Sequence, residues 1–272
     1  MDGPRGILLC PEKLLPGEQV MKKRFCLMLA FSALLILSAC RGEKLSIDDL
    51  LDRGTAAAQN GDWEKAREYA KRAVKLVPSN VNALVLNALA LENTGDPDGA
   101  LDEVSKAVSI DEANYFAQYT KGRLLYEKKK YDSCVAPLRA ALTLRPNAPD
   151  PLILLAQAAV MLQNGQDVRI YYSRLARIPQ FARNPIPWSE LGMYYLFSER
   201  NAPKAKDYLN YAYTLRRDNP TLLLNLAIYF DVHMNNKAEA RRLYTRFLNM
   251  TQRNSSMSQT RAAVEKRLKV LK

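Results

Sequence analysis

A gapless 34-residue period is the strongest constraint on this chain. Gly54, Ala88 and Gly122 recur at that spacing. So do Ala66, Ala100 and Cys134; Ala73, Ala107 and Ala141; and Leu76, Ile110 and Leu144. Gly61-Asp62 returns as Gly95-Asp96, and Trp63, Pro97 and Tyr131 share one slot. Self-similarity at this length means stacked supersecondary units, none of which buries its apolar face alone. The slots that repeat are mostly small residues. Small side chains belong where helix axes cross closely, because a large one would push the axes apart.

Each unit reads as two amphipathic helices and a turn. In the first, Leu50, Gly54 and Ala57 share a helical face, and Gly61-Asp62 breaks that helix. Ala66, Ala70, Ala73 and Leu76 then follow at three- and four-residue steps, and Pro78 ends the second helix. Units at 47–80, 81–114 and 115–148 share one register. This pattern resembles the tetratricopeptide repeat (TPR), a 34-residue helix-turn-helix with small, aromatic and Pro positions. The resemblance implies an all-α, right-handed TPR superhelix whose concave face, made mainly by first helices, holds a peptide or helix. Asn82, Val85, Leu89, Phe116, Tyr119, Arg123 and Tyr126 are the candidates for that face. The chaperone-binding subclass clamps a terminal carboxylate with Lys, Asn and Arg. Leu51, Thr55, Leu86 and Thr120 stand in the corresponding slots, which argues against that clamp.

The pattern loosens over 149–254. Pro151 to Arg177 reads as a degenerate unit, and a Pro-rich loop is expected near 178–188, around Pro179, Pro185 and Pro187. Trp188, Leu191, Gly192 and Tyr195 begin another unit, with Ala205, Leu209, Ala212 and Leu215 in its second helix. Leu223, Leu226, Ala227 and Phe230 start a further one, completed by Ala240, Tyr244 and Phe247. The count is about six repeats. Met257, Val264, Leu268 and Leu271 mark a last amphipathic helix within 255–272. It suits the solvating cap that a repeat stack needs. The rival is a basic helix lying on a membrane surface.

The N-terminus carries an address. Met21 to Cys40 reads MKKRFCLMLAFSALLILSAC: three basic residues, an apolar run, then small residues. That is the layout of a secretory signal. The run is short of the roughly 20 residues a membrane-spanning helix needs. Leu37-Ser38-Ala39-Cys40 resembles the lipobox of bacterial lipoproteins. The resemblance implies cleavage between Ala39 and Cys40, a diacylglyceryl group on the Cys40 sulfur and acylation of the new amino terminus. Each buried CH₂ would contribute about 0.8 kcal/mol to anchoring. Residues 1–20 fall outside this signal and are either a start-site misassignment or an extended n-region. Gly17-Glu18 can be encoded by a purine-rich stretch of the kind that precedes a bacterial start codon. Arg41 to Ser46 is a tether of at most about 20 Å.

Composition argues against catalysis. The chain has one His and four Cys in 272 residues, too few for His-based triads, a zinc ribbon or a disulfide scaffold. Processing would leave Cys134 alone, in a slot otherwise filled by Ala66 and Ala100, which reads as a buried inert thiol. His233 has no acidic neighbour at catalytic spacing. No catalytic residue, metal ligand or cofactor is therefore expected. Charge is unevenly spread: residues 40–170 hold 17 Lys+Arg and 18 Asp+Glu, whereas 171–272 hold 18 and 7, a net +11. Nine of the 14 Tyr lie in that second stretch. The asymmetry suggests an anionic partner for residues 171–272, with Arg241, Arg242 and Arg246 as contacts, or a solvated basic surface around a Tyr-rich core. Export argues against nucleic acid.

The expectation is a non-enzymatic, membrane-tethered adaptor that binds a protein partner in the bacterial cell envelope, at an outer membrane facing the periplasm. Its architecture resembles the pilotins of type IV pili and the accessory lipoproteins of tight-adherence pili, which assist assembly of a secretin. The repeat lipoprotein of the outer-membrane barrel-assembly machinery has less regular units. The alternative is a protein that binds cell wall or anionic lipid through its basic C-terminal half.

Overall fold

The structure, a computed structural model, describes residues 45–271. Residues 1–20, the signal at 21–39, Ala39, Cys40 and the tether up to Lys44 lie outside the described residues. The chain divides into Met1–Asp49 and Leu50–Lys272. At the described end of the first unit, Ser46 and Asp49 form a reciprocal cap. The Asp49 N–H donates to Ser46 Oγ (3.1 Å), and the Ser46 N–H and hydroxyl donate to the Asp49 carboxylate (3.0 and 2.6 Å).

Thirteen α-helices follow among the described residues. They are α1 (Ile47–Gln59), α2 (Trp63–Leu76), α3 (Val81–Asn93), α4 (Pro97–Ile110), α5 (Tyr115–Glu127), α6 (Tyr131–Leu144) and α7 (Pro149–Met161). Then come α8 (Gly165–Arg177), α9 (Pro185–Phe197), α10 (Ala202–Leu215), α11 (Pro220–Val232), α12 (Lys237–Thr251) and α13 (Ser258–Val270). The fold is the all-α TPR superhelix, and α1 to α12 are the arms of six hairpins.

Local chemistry sets these boundaries. Asp62, Asn80, Asp96, Asn114, Asn164, Asn184, Asn201, Asn219 and Asn236 each cap a helix by accepting an N–H from its first turn. Such a cap contributes about 1 kcal/mol. Each hairpin turn passes through the left-handed region: Gly61 (φ 76°), Gly95 (90°), Lys129 (58°), Gln163 (55°), Arg200 (51°) and Asn235 (46°). There the chain reverses while the next N–H reaches back five residues in the first four turns, as from Asp96 to the Leu91 carbonyl (2.8 Å) and from Asn164 to that of Ala159 (2.9 Å), and six in the last two, as from Asn201 to that of Tyr195 (2.8 Å). Positions 61, 95, 129 and 163 are 34 residues apart, so the period runs on into the fourth hairpin.

The repeating small residues sit at the crossings. Ala66, Ala100, Cys134, Ala205 and Ala240 are fully buried, as are Ala73, Ala107, Ala141 and Ala212. At Gly122 an added Cβ would lie 2.5 Å from Leu138 Cγ, and at Gly192 it would lie 2.6 Å from Leu209 Cγ. Both hairpins therefore close on a glycine-to-leucine approach. Leu76, Ile110 and Leu144 also recur, but they end second helices beyond the crossing and are exposed.

One expectation needs correction here. The Pro-rich link is narrower than 178–188. It spans 178–184 and includes a 3₁₀ turn at Pro179–Phe181. Pro185 and Pro187 instead sit in the first turn of α9, where the missing N–H costs nothing. Five of the nine Tyr of residues 171–272 are buried, in keeping with the reading of a Tyr-rich core there. They are Tyr171, Tyr172, Tyr194, Tyr229 and Tyr244, and the buried Phe247 takes the slot that Ala73, Ala107 and Ala141 fill earlier.

The last helix packs on its neighbours. Val264 and Leu271 are buried in the cluster of Leu243, Tyr244 and Phe247, with Leu268 and Met257 against it. Arg267 reaches α11 and donates to both oxygens of Asp231 at 2.7 Å. No helix among the described residues is long and apolar enough to cross a membrane.

Candidate partner-binding surface

Successive first helices touch one another at three places, α3 with α5, α5 with α7 and α9 with α11. They form one layer, and the second helices form the other. The first-helix layer is where a bound segment would meet several repeats at once.

The seven groove candidates on α3 and α5 are not equivalent. Asn82 and Phe116 are exposed, and Phe116 shows 54% of its surface. Leu89, Tyr119, Arg123 and Tyr126 are half-buried. Val85 is buried with Leu84, Ala107 and Ala117, so it belongs to the core rather than to the groove. The following first helix, α5, lies against its side of α3 and covers it.

On α5, the Tyr115 and Tyr119 rings stack 6.0 Å apart. The Arg145 guanidinium lies over Tyr115 (4.2 Å) and Phe116 (4.8 Å), a cation on an aromatic platform. Arg123 is committed internally. It donates to both Glu92 oxygens (2.5 and 2.6 Å) and to Glu127 (2.8 Å), joining α3 to α5. Burial pushes the Glu92 carboxyl up, but the hydrogen bonds from Arg123 and Glu127 outweigh it, and it ends below its usual range. Burial and the hydrogen bond with Glu92 hold Glu127 above its usual range. One guanidinium thus holds two carboxylates that titrate as a unit.

Arg241, Arg242 and Arg246 lie on α12, a second helix, and are exposed. They do not join the α3–α5 candidates on the first-helix layer. Arg242 is held by Glu239 (2.8 and 2.6 Å), and Arg246 lies 5.9 Å from the Tyr213 ring. Cys134 is buried, its Sγ is 3.0 Å from the Tyr131 carbonyl, and burial pushes its thiol up to about 11. His233 ends α11, 5.9 Å from the Phe197 ring. No group of three or more His, Cys, Asp or Glu able to hold a metal occurs among the described residues.

Sequence reasoning missed an apolar series further along the layer. Met161, Ile186, Phe197 and Val232 each show about half their surface. Met161, Phe197 and Val232 are each the last residue of a 13-residue first helix. Ile186 is the second residue of its helix, as Asn82 and Phe116 are of theirs. Carrying those slots across the loosened repeats would have found the series.

Residues 51–115 match the family model described as tetratricopeptide repeat. Over 144 residues the chain is 24% identical to the type IV pilus assembly protein PilF of Pseudomonas aeruginosa, covering 52% of this chain. It spans 57% of that relative's length. A solved structure of Pseudomonas aeruginosa PilF superposes with a TM-score of 0.59 at 20% identity, covering 80% of this chain and 97% of that one. YrrB, described as a TPR protein with an unusual peptide-binding site, superposes with a TM-score of 0.60 at 15% identity over 68% and 93% of the two chains. These likenesses show the fold.

Proposed function

We propose that this tetratricopeptide-repeat scaffold is tethered to a bacterial cell envelope by lipid on Cys40. There its first-helix face holds a peptide or helical segment of a protein that takes part in pilus or secretin assembly. The scaffold role rests on the repeat fold. The observation that carries the choice of surface is the run of exposed apolar side chains along it, from Phe116 on α5 through Met161, Ile186 and Phe197 to Val232 on α11. Leu76, Ile110 and Leu144 are exposed at the ends of second helices too, but on the first-helix layer the exposed apolar side chains adjoin cavities, Ile186 one and Phe197 another. The pilus connection rests on the relation to PilF. The tether rests on the Leu37–Cys40 motif.

Two variants separate the parts of this reading. Cys40→Ser should abolish labelling by a fatty-acid analogue and leave the chain unprocessed. Label retained on that variant contradicts the tether. Phe116→Asp with Met161→Asp should leave the helical circular dichroism unchanged and abolish pilus or secretin assembly in the host cell. Full assembly with the double variant contradicts the assigned surface.

A further inference from the structure

The first-helix layer is open between the fourth and fifth hairpins. Elsewhere from α3 onward the four-residue links between hairpins (111–114, 145–148 and 216–219) bring the next first helix onto the last. Between α8 and α9 the link has seven residues, 178–184. Trp188 fixes it: its indole N–H donates to the Ala182 carbonyl (3.1 Å), and its ring stacks on Tyr208 (6.0 Å). The longer link holds α9 away from α7 and leaves a slot floored by α8.

Two cavities make up the slot. The first, about 100 Å³, lies between Ile153 and Gln157 of α7 and Ile186 of α9, over Tyr172 and Leu175, with Phe181 of the link beside it. The second, about 320 Å³, lies between Val160 and the α9 residues Glu190, Met193 and Phe197, over Val168. Gly165 lines this second cavity, and a Cβ there would come within 2.8 Å of Ser198 Oγ. The start of α8 is thus pressed against the end of α9 while α7 and α9 stay apart. Ile186, Glu190, Met193 and Phe197 follow at four-, three- and four-residue steps, so one stripe of α9 forms a whole wall.

Glu190 is the only charged residue lining either cavity. Among the described residues no cation or hydrogen-bond donor meets its carboxylate. Burial alone raises its pKa, and it stands near enough to Tyr172 to raise the phenol as well. Glu190 is half-buried, so its carboxylate stands in the cavity wall partly shielded from water and open to a donor that a ligand brings. An apolar slot with a single unmatched negative charge therefore specifies the complementary chemistry.

We propose that the slot between α7 and α9 takes an extended peptide segment in which a lysine or arginine faces Glu190 and an apolar residue stands two positions away on each side. The spacing fits. At 1.5 Å per residue along the helix, Glu190 lies about 6 Å from Ile186 and about 4.5–10.5 Å from Met193 and Phe197. Alternate side chains of an extended strand are about 6.6 Å apart on one face. The first apolar residue enters the cavity at Ile186 and the second the cavity between Met193 and Phe197. Gln157, which faces the slot from α7, supplies polar contact for the peptide backbone.

This inference rests on the first-helix face being the partner surface, and its test keeps the two apart. A display library of random nonapeptides is panned on the full-length chain as wild type, Glu190→Gln and Glu190→Lys. The wild type should enrich Lys or Arg between two apolar residues at plus and minus two. Glu190→Gln should keep the apolar pair, lose the cation and weaken a selected peptide about tenfold or more, the effect of one charge-assisted hydrogen bond. Glu190→Lys should select Asp or Glu instead. Thermal midpoints should hold in both variants, because Glu190 has no partner to lose. Enrichment from the wild type without a central cation, identical motifs from wild type and Glu190→Lys, or no enrichment at all would overturn the slot. Assembly lost in the Phe116→Asp, Met161→Asp variant would then leave the wider surface standing, and assembly retained there would remove both.

Discussion

The first three hairpins and the last two solve one packing problem differently. In 47–148 the crossings are filled by Ala and Cys, and each hairpin is nearly a copy of the one before. Beyond residue 184 buried Tyr and Phe join the Ala, and polar groups enter the core. Asn225 donates to Ser189 (2.8 Å) between α9 and α11, and Asp231 accepts from Tyr244 (3.0 Å) and Arg267. Small residues at fixed slots give a regular stack that contacts only its neighbours. The seven-residue link and the slot beside it lie where that regular stack gives way to larger residues. Regularity and an opening for a partner are thus found in different parts of one solenoid.

The largest expected effect tests what the two regions share. Gly122→Leu and Gly192→Leu drive a side chain into Leu138 and Leu209 respectively. Each should lower stability by about 1–3 kcal/mol in chemical denaturation, toward the upper end because the backbone N of each leucine is also within 3.2 Å. Equal losses would mean the two regions share one crossing. A loss at Gly122 alone would mean that the second half closes differently from the geometry described.

Much of this was legible in the sequence, for identifiable reasons. Gly54, Gly122 and the Ala slots marked the crossings because only small residues fit there. The fourth hairpin looked degenerate because Val168 and Leu175 stand in the slots that Ala100 and Ala107 fill earlier, although the register is unchanged. Pro185 and Pro187 suggested a loop because proline is disfavoured in a helix interior, although its first turn accepts it. Val85 was taken for the groove because slot position alone does not show how closely the next helix approaches. The Asp231–Arg267 pair joins residues 36 apart, a separation that no local pattern signals. Glu190 carries no repeat signature at all.

A middle-sized effect separates the regions. Asp231→Asn removes a carboxylate that holds Tyr244 and Arg267 together, and should cost about 2 kcal/mol. Hydrogen exchange should rise over α11 to α13 and stay unchanged over α2 to α6. The hydrogen bonds from Arg267 hold the Asp231 carboxyl below its ordinary 3.8, against the opposing effect of burial. A depressed carboxyl stabilises the fold above its unfolded pKa, and that contribution fades as pH falls through the folded value. Acid should therefore loosen α13 below about pH 3.8 in the wild type, and much less in Asp231→Asn.

The smallest effect concerns the turns. Gln163→Gly relieves a left-handed residue at φ 55° and should stabilise by about 1 kcal/mol. Gly95→Ala, at φ 90°, should destabilise by a similar amount. Opposite shifts in thermal midpoint would show that one turn geometry serves a regular and an irregular hairpin.

The most direct test of the account is a photo-crosslinker scan in living cells. A crosslinking residue is placed in turn at Phe116, Met161, Ile186, Phe197 and Val232 on the first-helix layer, and at Arg72, Lys106 and Arg241 on second helices. The account predicts one protein adduct from the first set, strongest at Ile186 and Phe197 beside the slot, and none from the second. Adducts confined to second-helix positions, or spread equally over both sets, would contradict it.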